Sequence, residues 1–544
     1  MGGPDRVRRL KTALEHLEAR RWRLAEVEGR VLIAMDPNDI EAMLIIGLAI
    51  SASGEAARAA PILERVRRAR PGHADPCQDL AEMRPRVPRS VVSRQYRACL
   101  RLAPRDDKLR REFASYLLDS AEPDAALSVL RDSPEQPATY HLRGIALAEI
   151  GRFKEAARCF EQVTQLDPDS AGGWSNLGMM LKIEGHFDAS IAAYDSAIQR
   201  SDGDAQIKVN RAVALLQAGR WEEAWRDYEW RFGRDGYVGV STAPMLPTLT
   251  AKTRLDGKHI LVWHEEGFGD TLQFARYMPM LVEAGARVTA LVPVPLVRLL
   301  RGMPGISVIQ PGEGALPAHD YHCPFFSLPR AFASTPRTVP RQPYLTADPI
   351  LAASWAHRLP PRTALTAGLV WAGQARPWLQ GFTSVDRRRS AGLVAFASLG
   401  TVRDVRFVSL QAGTPAAQGQ EPPLGMDLTD PMESVRDFAD TAAIIANLDV
   451  VISVDTSVAH LAGAMGKPVF LLDRYDNCWR WLSGRTDTPW YPSMTIFRQP
   501  RPGDWHLPMH RATSALAAMV AARLAGMPPR LVPGLTSAVL ADAA

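Results

Sequence analysis

The chain is 544 residues long, with 46% hydrophobic and 23% charged residues. This length exceeds what one ordinary hydrophobic core supports, so we expect two or three domains. No stretch approaches the roughly 18 consecutive apolar residues of a membrane-spanning helix, so we predict no membrane span. The net charge of +5 and pI near 9.0 are mild and would suit an anionic small ligand. Because acidic residues are interleaved with the basic ones, nucleic acid is not an expected partner.

The N-terminal sequence and the cysteines indicate the compartment. The first residues are basic, but no apolar run follows them, so no secretory signal is predicted. The five cysteines are scattered and form no Cys-x-x-Cys pair. Such a set of thiols fits a reducing compartment and argues against a structural zinc site. We therefore expect a cytoplasmic protein.

The first half of the chain contains a repeat. Gly151, Gly185 and Gly219 follow one another at intervals of 34 residues. Each is followed by an aromatic residue two positions later and a small residue five positions later. These positions are Phe153, Phe187 and Trp221, and Ala156, Ser190 and Ala224. Each unit is predicted to form two amphipathic helices, with small residues where the helices cross closely.

The period predicts a solenoid of helices. It extends back through Gly47, Gly54 and Pro71, whereas residues 73–136 follow it poorly and are predicted to be degenerate. This pattern resembles the tetratricopeptide repeat, with six or seven units over about residues 6–235. We assign 1–235 to this superhelix. Its groove is interpreted either as a scaffold or oligomerisation arm, or as a binding site for a peptide or protein acceptor.

From about residue 257 short apolar strands alternate with helical segments, which predicts parallel sheets. The predicted strands are HILVWHE, RVTALVP, ISVIQP, TALTAGLVWAG, DVRFVSLQ, DVVISVD and KPVFLL. The helices between them include DTLQFARYMPMLVEAG, MESVRDFADTAAIIANL and SVAHLAGAMG. We predict two Rossmann-like halves facing a cleft, at 236–350 and 351–510, followed by a C-terminal helix and tail at 511–544. Ligands of such sheets lie beyond the carboxyl ends of the strands.

The segment WHEEGFGD (263–270) offers three interpretations: a metal motif, a phosphate loop or a general base. No second histidine follows His264 at metalloprotease spacing, and Gly267 and Gly269 lack the third glycine of a dinucleotide fingerprint. The glycines are predicted to allow a tight strand-to-helix turn that lets substrate approach the backbone. Asp270 would then lie at a helix N-terminus as the candidate base, with His264, Glu265 and Glu266 as rivals that could contact an acceptor hydroxyl.

The segment VVISVDTSVAHLAGAMGKP predicts a strand that ends at Asp455 and a helix that begins at Thr456. Thr456 is predicted to cap this helix, and the free amides beyond it would attract an anion. His460 lies one turn further and could contact a phosphate or a sugar. The alternative is an ordinary strand–helix junction with a capping threonine and a packed histidine.

Two further features bear on an anion or an aromatic ligand. The stretch VDRRRSAG places Arg388 and Arg389 in a predicted loop, where they could bind phosphate or form a solvated basic turn. Four tryptophans could stack on a base or sugar, although their spacing favours core or interface positions. These are Trp371, Trp479, Trp481 and Trp490.

GFGDTLQF together with SVDTSVAHLAGAMGKPVFLL resembles glycosyltransferases of the GT-B fold, of the heptosyltransferase-like branch. Repeats ahead of such a region resemble bacterial repeat-linked glycosyltransferases and, more distantly, O-linked N-acetylglucosamine transferases. The fold expected is an α solenoid followed by an α/β pair of Rossmann-like domains. The resemblance implies an inverting, metal-independent transferase that uses a nucleotide-diphosphate sugar and no further cofactor.

The resemblance also assigns residues. Asp270 matches the general base, while Asp455, Thr456 and His460 match the donor-binding turn, with Ser457 supplying an amide. Gln411 falls where the nucleotide is commonly approached. The family's lysine near the diphosphate is missing from the loop 371–390, so Arg388 or Arg389 would replace it.

The first Rossmann-like half is short, so the repeats are expected to supply part of the acceptor wall. The acceptor is left open between a surface protein such as flagellin, a lipid-linked glycan and a small metabolite. Two other functions also stay open: a repeat scaffold with an inactive transferase-like domain, and a nucleotide-sugar epimerase.

Overall fold

The computed structural model describes residues 4–53, 55–69, 89–234, 236–361, 365–376 and 383–527. The chain divides into two compact units, Met1–Pro168 and Asp169–Ala544. The division falls inside the repeats rather than at residue 235. The predicted bounds 1–235, 236–350, 351–510 and 511–544 therefore describe sequence patterns, and they stay predictions.

The first unit is helical in its described residues. Its helices are α1 (Pro4–Glu18), α2 (Trp22–Met35), α3 (Ile40–Ala52), α4 (Ala56–Ala69), α5 (Arg89–Leu102), α6 (Asp107–Asp119), α7 (Pro123–Leu130), α8 (Pro137–Glu149) and α9 (Phe153–Leu166). The predicted degenerate stretch thus continues the helices from residue 89. Gly54 and Pro71, used to extend the repeat register, lie outside the described residues.

Close helix crossing explains the repeated small residues. A Cβ atom on Gly144 of α8 would lie 2.7 Å from the ring of Phe160 on α9. In the second unit a Cβ on Gly178 would lie 3.0 Å from the ring of Tyr194, one period later. The aromatic ring of one helix thus occupies the space left by the glycine of the helix before it. This confirms the prediction that small residues mark the crossings.

The second unit begins with the last repeat helices. These are α10 (Ala171–Ile183), α11 (Phe187–Arg200), α12 (Ala205–Gln217) and α13 (Trp221–Tyr228), followed by a 3-10 turn at Glu229–Gly233. Asp204 begins α12 by accepting hydrogen bonds from the amides of Gln206 and Ile207. Such capping satisfies amides that the first turn of a helix leaves free.

A four-stranded parallel sheet follows, in the order β3-β2-β1-β4. Its strands are β1 (His259–Trp263), β2 (Arg287–Leu291), β3 (Ile306–Ile309) and β4 (Tyr321–Pro324). The helices around it are α14 (Phe268–Phe274), α15 (Met278–Glu283), α16 (Val294–Leu300) and α17 (Leu328–Ala331). Strand β4 was not predicted, because four residues ending in proline carry little periodic signal.

A six-stranded parallel sheet completes the unit, in the order β10-β9-β8-β5-β6-β7. Its strands are β5 (Leu365–Val370), β6 (Val405–Ser409), β7 (Leu428–Thr429), β8 (Val450–Val454), β9 (Val469–Asp473) and β10 (Met494–Arg498). Its helices are α18 (Pro349–Ala356), α19 (Thr383–Arg388), α20 (Phe438–Ala446), α21 (Ser457–Ala464) and α22 (His506–Leu524). Strands β7 and β10 were not predicted.

Helix α20 begins later than predicted. The expected start at Met432 is a short 3-10 turn, and the α-helix begins at Phe438. Asp437 causes this start, because its side chain accepts hydrogen bonds from the amides of Ala439 and Asp440.

The last repeats pack on the loop between β9 and β10. Gln217 donates to Asn477 Oδ1 at 2.6 Å, and the Tyr475 hydroxyl lies 3.3 Å from Glu184. The Trp221 ring stacks on Trp490 with centroids 4.8 Å apart. The tryptophans left open between ligand stacking and packing are core residues: Trp371, Trp479, Trp481 and Trp490 are at most 5% exposed.

Within the described ranges, no helix combines the length and the hydropathy that crossing a membrane requires.

Candidate active site

Asp270 lies in the first turn of α14, directly after β1. Its Oδ2 accepts a hydrogen bond from the Gly267 amide at 2.7 Å, which fixes the side chain against the start of its own helix. Its Oδ1 pairs with the guanidinium of Arg480, 210 positions later in the chain. The Asp270 side chain is 21% exposed, so it stays accessible to a ligand.

Arg480 connects the two halves of the α/β region and was not predicted as a site residue. Its Nε donates to Gln273 Oε1 at 2.6 Å, and its guanidinium lies 4.5 Å from the ring centroid of Trp479. Burial opposes its charge, but the neighbouring Cys478 and Asp270 raise the pKa of Arg480. One signal for it is visible in the sequence, an arginine between two tryptophans in CWRW, but such a pattern also occurs in packed cores.

The starts of α14 and α21 are in contact. A Cβ atom on Gly269 would lie 2.9 Å from the His460 ring and 3.6 Å from the Ser457 Cα. Gly269 therefore allows the approach of a second helix, whereas we had predicted that it lets substrate approach the backbone. This contact brings Asp270 close to the turn that contains Asp455, although the two are 185 positions apart in the sequence.

His460 is buried, with 5% of its surface exposed. Its Nδ1 lies 2.9 Å from the Tyr491 hydroxyl, and its ring stacks on Trp481 with centroids 5.2 Å apart. Burial lowers the pKa of His460 to about 4, so the ring is neutral near pH 7. These contacts fit a residue that positions the turn rather than one that binds a phosphate directly, and so favour the alternative of a packed histidine.

Thr456 is the first residue of the turn into α21, but its side chain does not cap the helix as predicted. Its hydroxyl instead lies 3.0 Å from the Ser453 hydroxyl at the end of β8. Ser457 is the first residue of α21, and backbone amides in the first turn of a helix have no partner within the helix.

Arg388 is the last residue of α19, so the predicted loop is wrong there, whereas Arg389 follows the helix in a turn. Arg388 Nη2 lies 3.0 Å from Asp476 Oδ2, in a pair that is mostly buried. Arg389 pairs with Asp386 at 3.0 Å, and its Nη1 lies 3.5 Å from the carbonyl oxygen of Asp455. Arg389 therefore adjoins the donor turn, whereas Arg388 is held by an aspartate.

Arg389 fits into space that a glycine leaves open. A Cβ atom on Gly373, after β5, would overlap the Arg389 guanidinium. Burial lowers the pKa of Arg389, while Asp386 and Asp455 act in the opposite direction. A cation that is buried this far and incompletely paired is a strong site for an anion.

His264 lies behind Asp270. Its Nδ1 is 2.7 Å from the Thr271 hydroxyl, and burial lowers its pKa although Asp270 opposes this. The neutral ring can orient α14 or relay a proton, so His264 stays a candidate beside Asp270.

Glu265 is not placed to contact an acceptor hydroxyl as predicted. Both its oxygens bind the guanidinium of Arg231, at 3.0 and 2.8 Å. The Glu265 side chain is only 4% exposed and also accepts from the Phe326 amide. This buried pair joins β1 to the turn after the last repeat. Glu266, beside it, is 37% exposed.

Gln411 does not face a nucleotide as predicted. Its Oε1 accepts from the amides of Trp371 and Ala372 at 3.0 and 2.8 Å. Its Nε2 donates to the carbonyl oxygens of Ala372 and Ala412. The side chain is therefore used fully in tying the end of β6 to the end of β5.

The fold and site together define an α/β region of two parallel sheets with charged groups at their carboxyl edges, preceded by helical repeats. Residues 436–509 match the family model described as glycosyltransferase family 9 (heptosyltransferase). Residues 137–170 and 184–229 match models of the tetratricopeptide repeat. The glycosyltransferase match at 436–509 contains Asp455, His460 and Arg480, whereas Asp270 lies outside it.

The chain is similar in sequence or in part of its fold to several known proteins. "Protein FlbA" of Caulobacter vibrioides is 26% identical over 549 residues, covering 94% of this chain and 90% of the relative. A glycosyl transferase family 9 structure from Veillonella parvula DSM 2008 is 12% identical, covering 45% of this chain and 87% of that one, with a TM-score of 0.34. The MamA structure is 18% identical, covering 28% and 91%, with a TM-score of 0.26.

The chain carries tetratricopeptide repeats followed, at residues 436–509, by a match to glycosyltransferase family 9, as the resemblance implied. Its enzymatic class is glycosyltransferase.

Proposed function

We propose that the protein is an inverting, metal-independent glycosyltransferase that moves a sugar from a nucleotide-diphosphate sugar to an acceptor hydroxyl. The observation that carries this proposal is the contact between the starts of α14 and α21 through Gly269 and His460. It brings the carboxylate of Asp270 close to the donor turn at Asp455. Arg480 pairs with the first carboxylate and lies in the field of the second.

Asp270 is the proposed general base. In a single displacement it takes the proton of the acceptor hydroxyl as that oxygen bonds to C1 of the sugar and the bond from C1 to the diphosphate oxygen breaks. An ionised carboxylate has about four lone-pair positions, and the Gly267 amide and Arg480 occupy two of them. Asp270 can therefore stay fixed and still accept the hydrogen bond of an acceptor.

The departing diphosphate receives its stabilisation at the start of α21. The Ser457 amide and the positive end of the helix dipole attract it, and Arg389 adds a guanidinium beside Asp455. Positive charge held in place before the reaction lowers the barrier, because little reorganisation is needed when charge develops. These groups support transfer without a metal ion.

The repeats are the proposed recognition element for a protein acceptor. In the second unit, Gln217 and Trp221 hold the loop between β9 and β10. Because these repeats are used to hold the catalytic region, we assign acceptor recognition to the repeats of the first unit, Met1–Pro168.

A donor panel tests the proposal. The full chain is incubated with labelled UDP-, GDP-, ADP- and CMP-sugars, with and without lysate proteins. We expect protein-dependent incorporation from one nucleotide-diphosphate sugar, in the presence of EDTA, with the opposite anomeric configuration in the product by NMR. Incorporation only from a CMP-sugar would contradict a diphosphate leaving group, and failure to bind any nucleotide would favour a scaffold.

A further inference from the structure

Three consecutive residues between β9 and β10 contact three different parts of the second unit. Trp479, Arg480 and Trp481 form a short 3-10 turn. The Trp479 ring lies edge-on to the rings of Trp221 and Trp225 in the last repeat, with centroids 6.5 and 5.7 Å apart. Arg480 pairs with the proposed base on α14, and Trp481 stacks on the histidine of α21. This turn therefore connects the repeats, the base and the helix of the donor turn.

The residue that follows the turn has a strained backbone. Leu482 has φ 52° and ψ −172°, in the half of φ space that favours glycine. A leucine at such dihedral angles costs free energy, so it persists only where the surrounding structure fixes the backbone. The turn is therefore held in place by contacts from outside it.

The carbonyl oxygen of Leu482 is the point at which this backbone is held. It accepts hydrogen bonds from Asn477 Nδ2 at 2.5 Å and from Arg498 Nη2 at 2.8 Å. Arg498 is itself paired with Asp473 at the end of β9, at 2.8 Å. The sheet thus fixes one of the two donors, and the other donor belongs to the loop.

Gln217, the last residue of α12, fixes the second donor. Its Nε2 donates to Asn477 Oδ1 at 2.6 Å and to the Ser483 hydroxyl at 3.3 Å. The repeat amide thus contacts the chain on both sides of the strained residue. Gln217 is 4% exposed and Asn477 is 7% exposed, so solvent does not readily replace their hydrogen bond once it is removed.

We propose that Gln217 is a positioning residue for the active site. Through Asn477 and the strained backbone of Leu482, it holds the turn that presents Arg480 to the proposed base. The inference rests on the proposed function, which assigns that base, and it goes further by making the last repeat part of what sets turnover. Turnover then depends on this contact for every acceptor, including one that the repeats do not bind.

Hydrogen exchange of the full chain, read by mass spectrometry, tests whether the repeat holds the turn. The amides of Trp481 and Leu482 each donate to the carbonyl oxygen three residues earlier, so their exchange reports opening of the turn. Gln217→Met removes the amide at nearly constant length and is expected to speed this exchange at least about tenfold, with exchange in β2 unchanged. Gln206→Met is the matched control, because Gln206 is exposed on the same helix. Exchange within twofold of the unmodified chain, or equal acceleration in β2, would overturn the proposal.

Turnover with the donor that the panel identifies separates positioning from folding. We expect Gln217→Met to lower kcat about tenfold, because a displaced base is poorly aligned with the acceptor. The KM of the donor and the Kd of the nucleoside diphosphate should stay within about threefold, and Gln206→Met should keep the kcat of the unmodified chain. If the turn exchanges faster but the unmodified chain transfers no sugar, the proposed function fails and the hold on the turn stands. If transfer occurs and Gln217→Met keeps its kcat, only this inference fails.

Discussion

Arg388 and Arg389 are neighbours in sequence but differ in what holds them. Arg388 is bound to Asp476, whereas Arg389 reaches the backbone of Asp455, and its Nε has no hydrogen-bond partner among the residues that the structure describes. We predict that Arg389→Ala weakens binding of a nucleoside diphosphate about tenfold and binding of the matching nucleoside less than twofold. Calorimetry with both ligands measures the difference. Equal losses for the two ligands would show that Arg389 does not contact the diphosphate.

His460 makes stability depend on pH. Its pKa is about 4 in the folded chain against about 6.5 when unfolded, so the unfolded chain binds more protons between these values. Its contribution is complete above about pH 6.5 and is lost as pH falls towards 4, up to roughly 3 kcal/mol. Urea unfolding at pH 7 and pH 5 should therefore show a smaller drop for His460→Gln than for the unmodified chain.

The pH response of His460→Gln must be compared with that of the unmodified chain, because Asp473 changes the stability with pH in the opposite direction. Burial raises its pKa to about 6, so this residue favours the folded chain as pH falls between about 6 and 3.8. An identical pH response in His460→Gln and the unmodified chain would contradict the account of His460.

Part of the site was predictable because it is local in sequence. Asp270, Asp455 and Ser457 follow strands and begin helices, and a strand–helix turn has a recognisable pattern. The pairs of Asp270 with Arg480 and of Glu265 with Arg231 were not predictable, because no periodicity relates residues so far apart in the chain. Gln411 was misjudged for a related reason: its position at a strand end was visible, but its four backbone partners were not.

At the scale of elements, the position of α14 relative to α21 depends on their close contact at Gly269. We predict that Gly269→Ala lowers kcat at least tenfold and lowers the free energy of unfolding by about 1–3 kcal/mol, because the new methyl group displaces the His460 ring and α21 moves away from Asp270. Gly239→Ala is the matched control, since its Cβ meets nothing within 4 Å. Wild-type kcat in Gly269→Ala would show that the contact does not set the site geometry.

Most elements of the α/β region were predictable, because buried parallel strands form continuous apolar runs between helical segments. The strands that were missed are β4, β7 and β10, which have four, two and five residues. Helix α19 was also missed, since its sequence TSVDRR contains one apolar residue and shows no apolar face; its Asp386 pairs with Arg376 and its Arg388 with Asp476.

At the scale of the molecule, the last repeats and the α/β region form one compact unit. Trp221 lies at the centre of this packing, 1% exposed and stacked on Trp490. We predict that Trp221→Ala lowers the free energy of unfolding of this unit by about 3–5 kcal/mol. Trp230→Ala, which removes a 48% exposed side chain, should cost less than about 1 kcal/mol. Similar losses in urea unfolding for the two variants would contradict this assignment.

The central claim is that Asp270 takes the proton of the acceptor, and it is tested most directly by the turnover of Asp270→Asn with the donor that the panel identifies. The asparagine keeps an oxygen for the Gly267 amide but carries no negative charge for a proton. We expect transfer to fall by at least about 100-fold. Nucleoside-diphosphate binding should stay within twofold, and the exposed Asp188→Asn should be fully active. Unchanged turnover in Asp270→Asn would contradict the account.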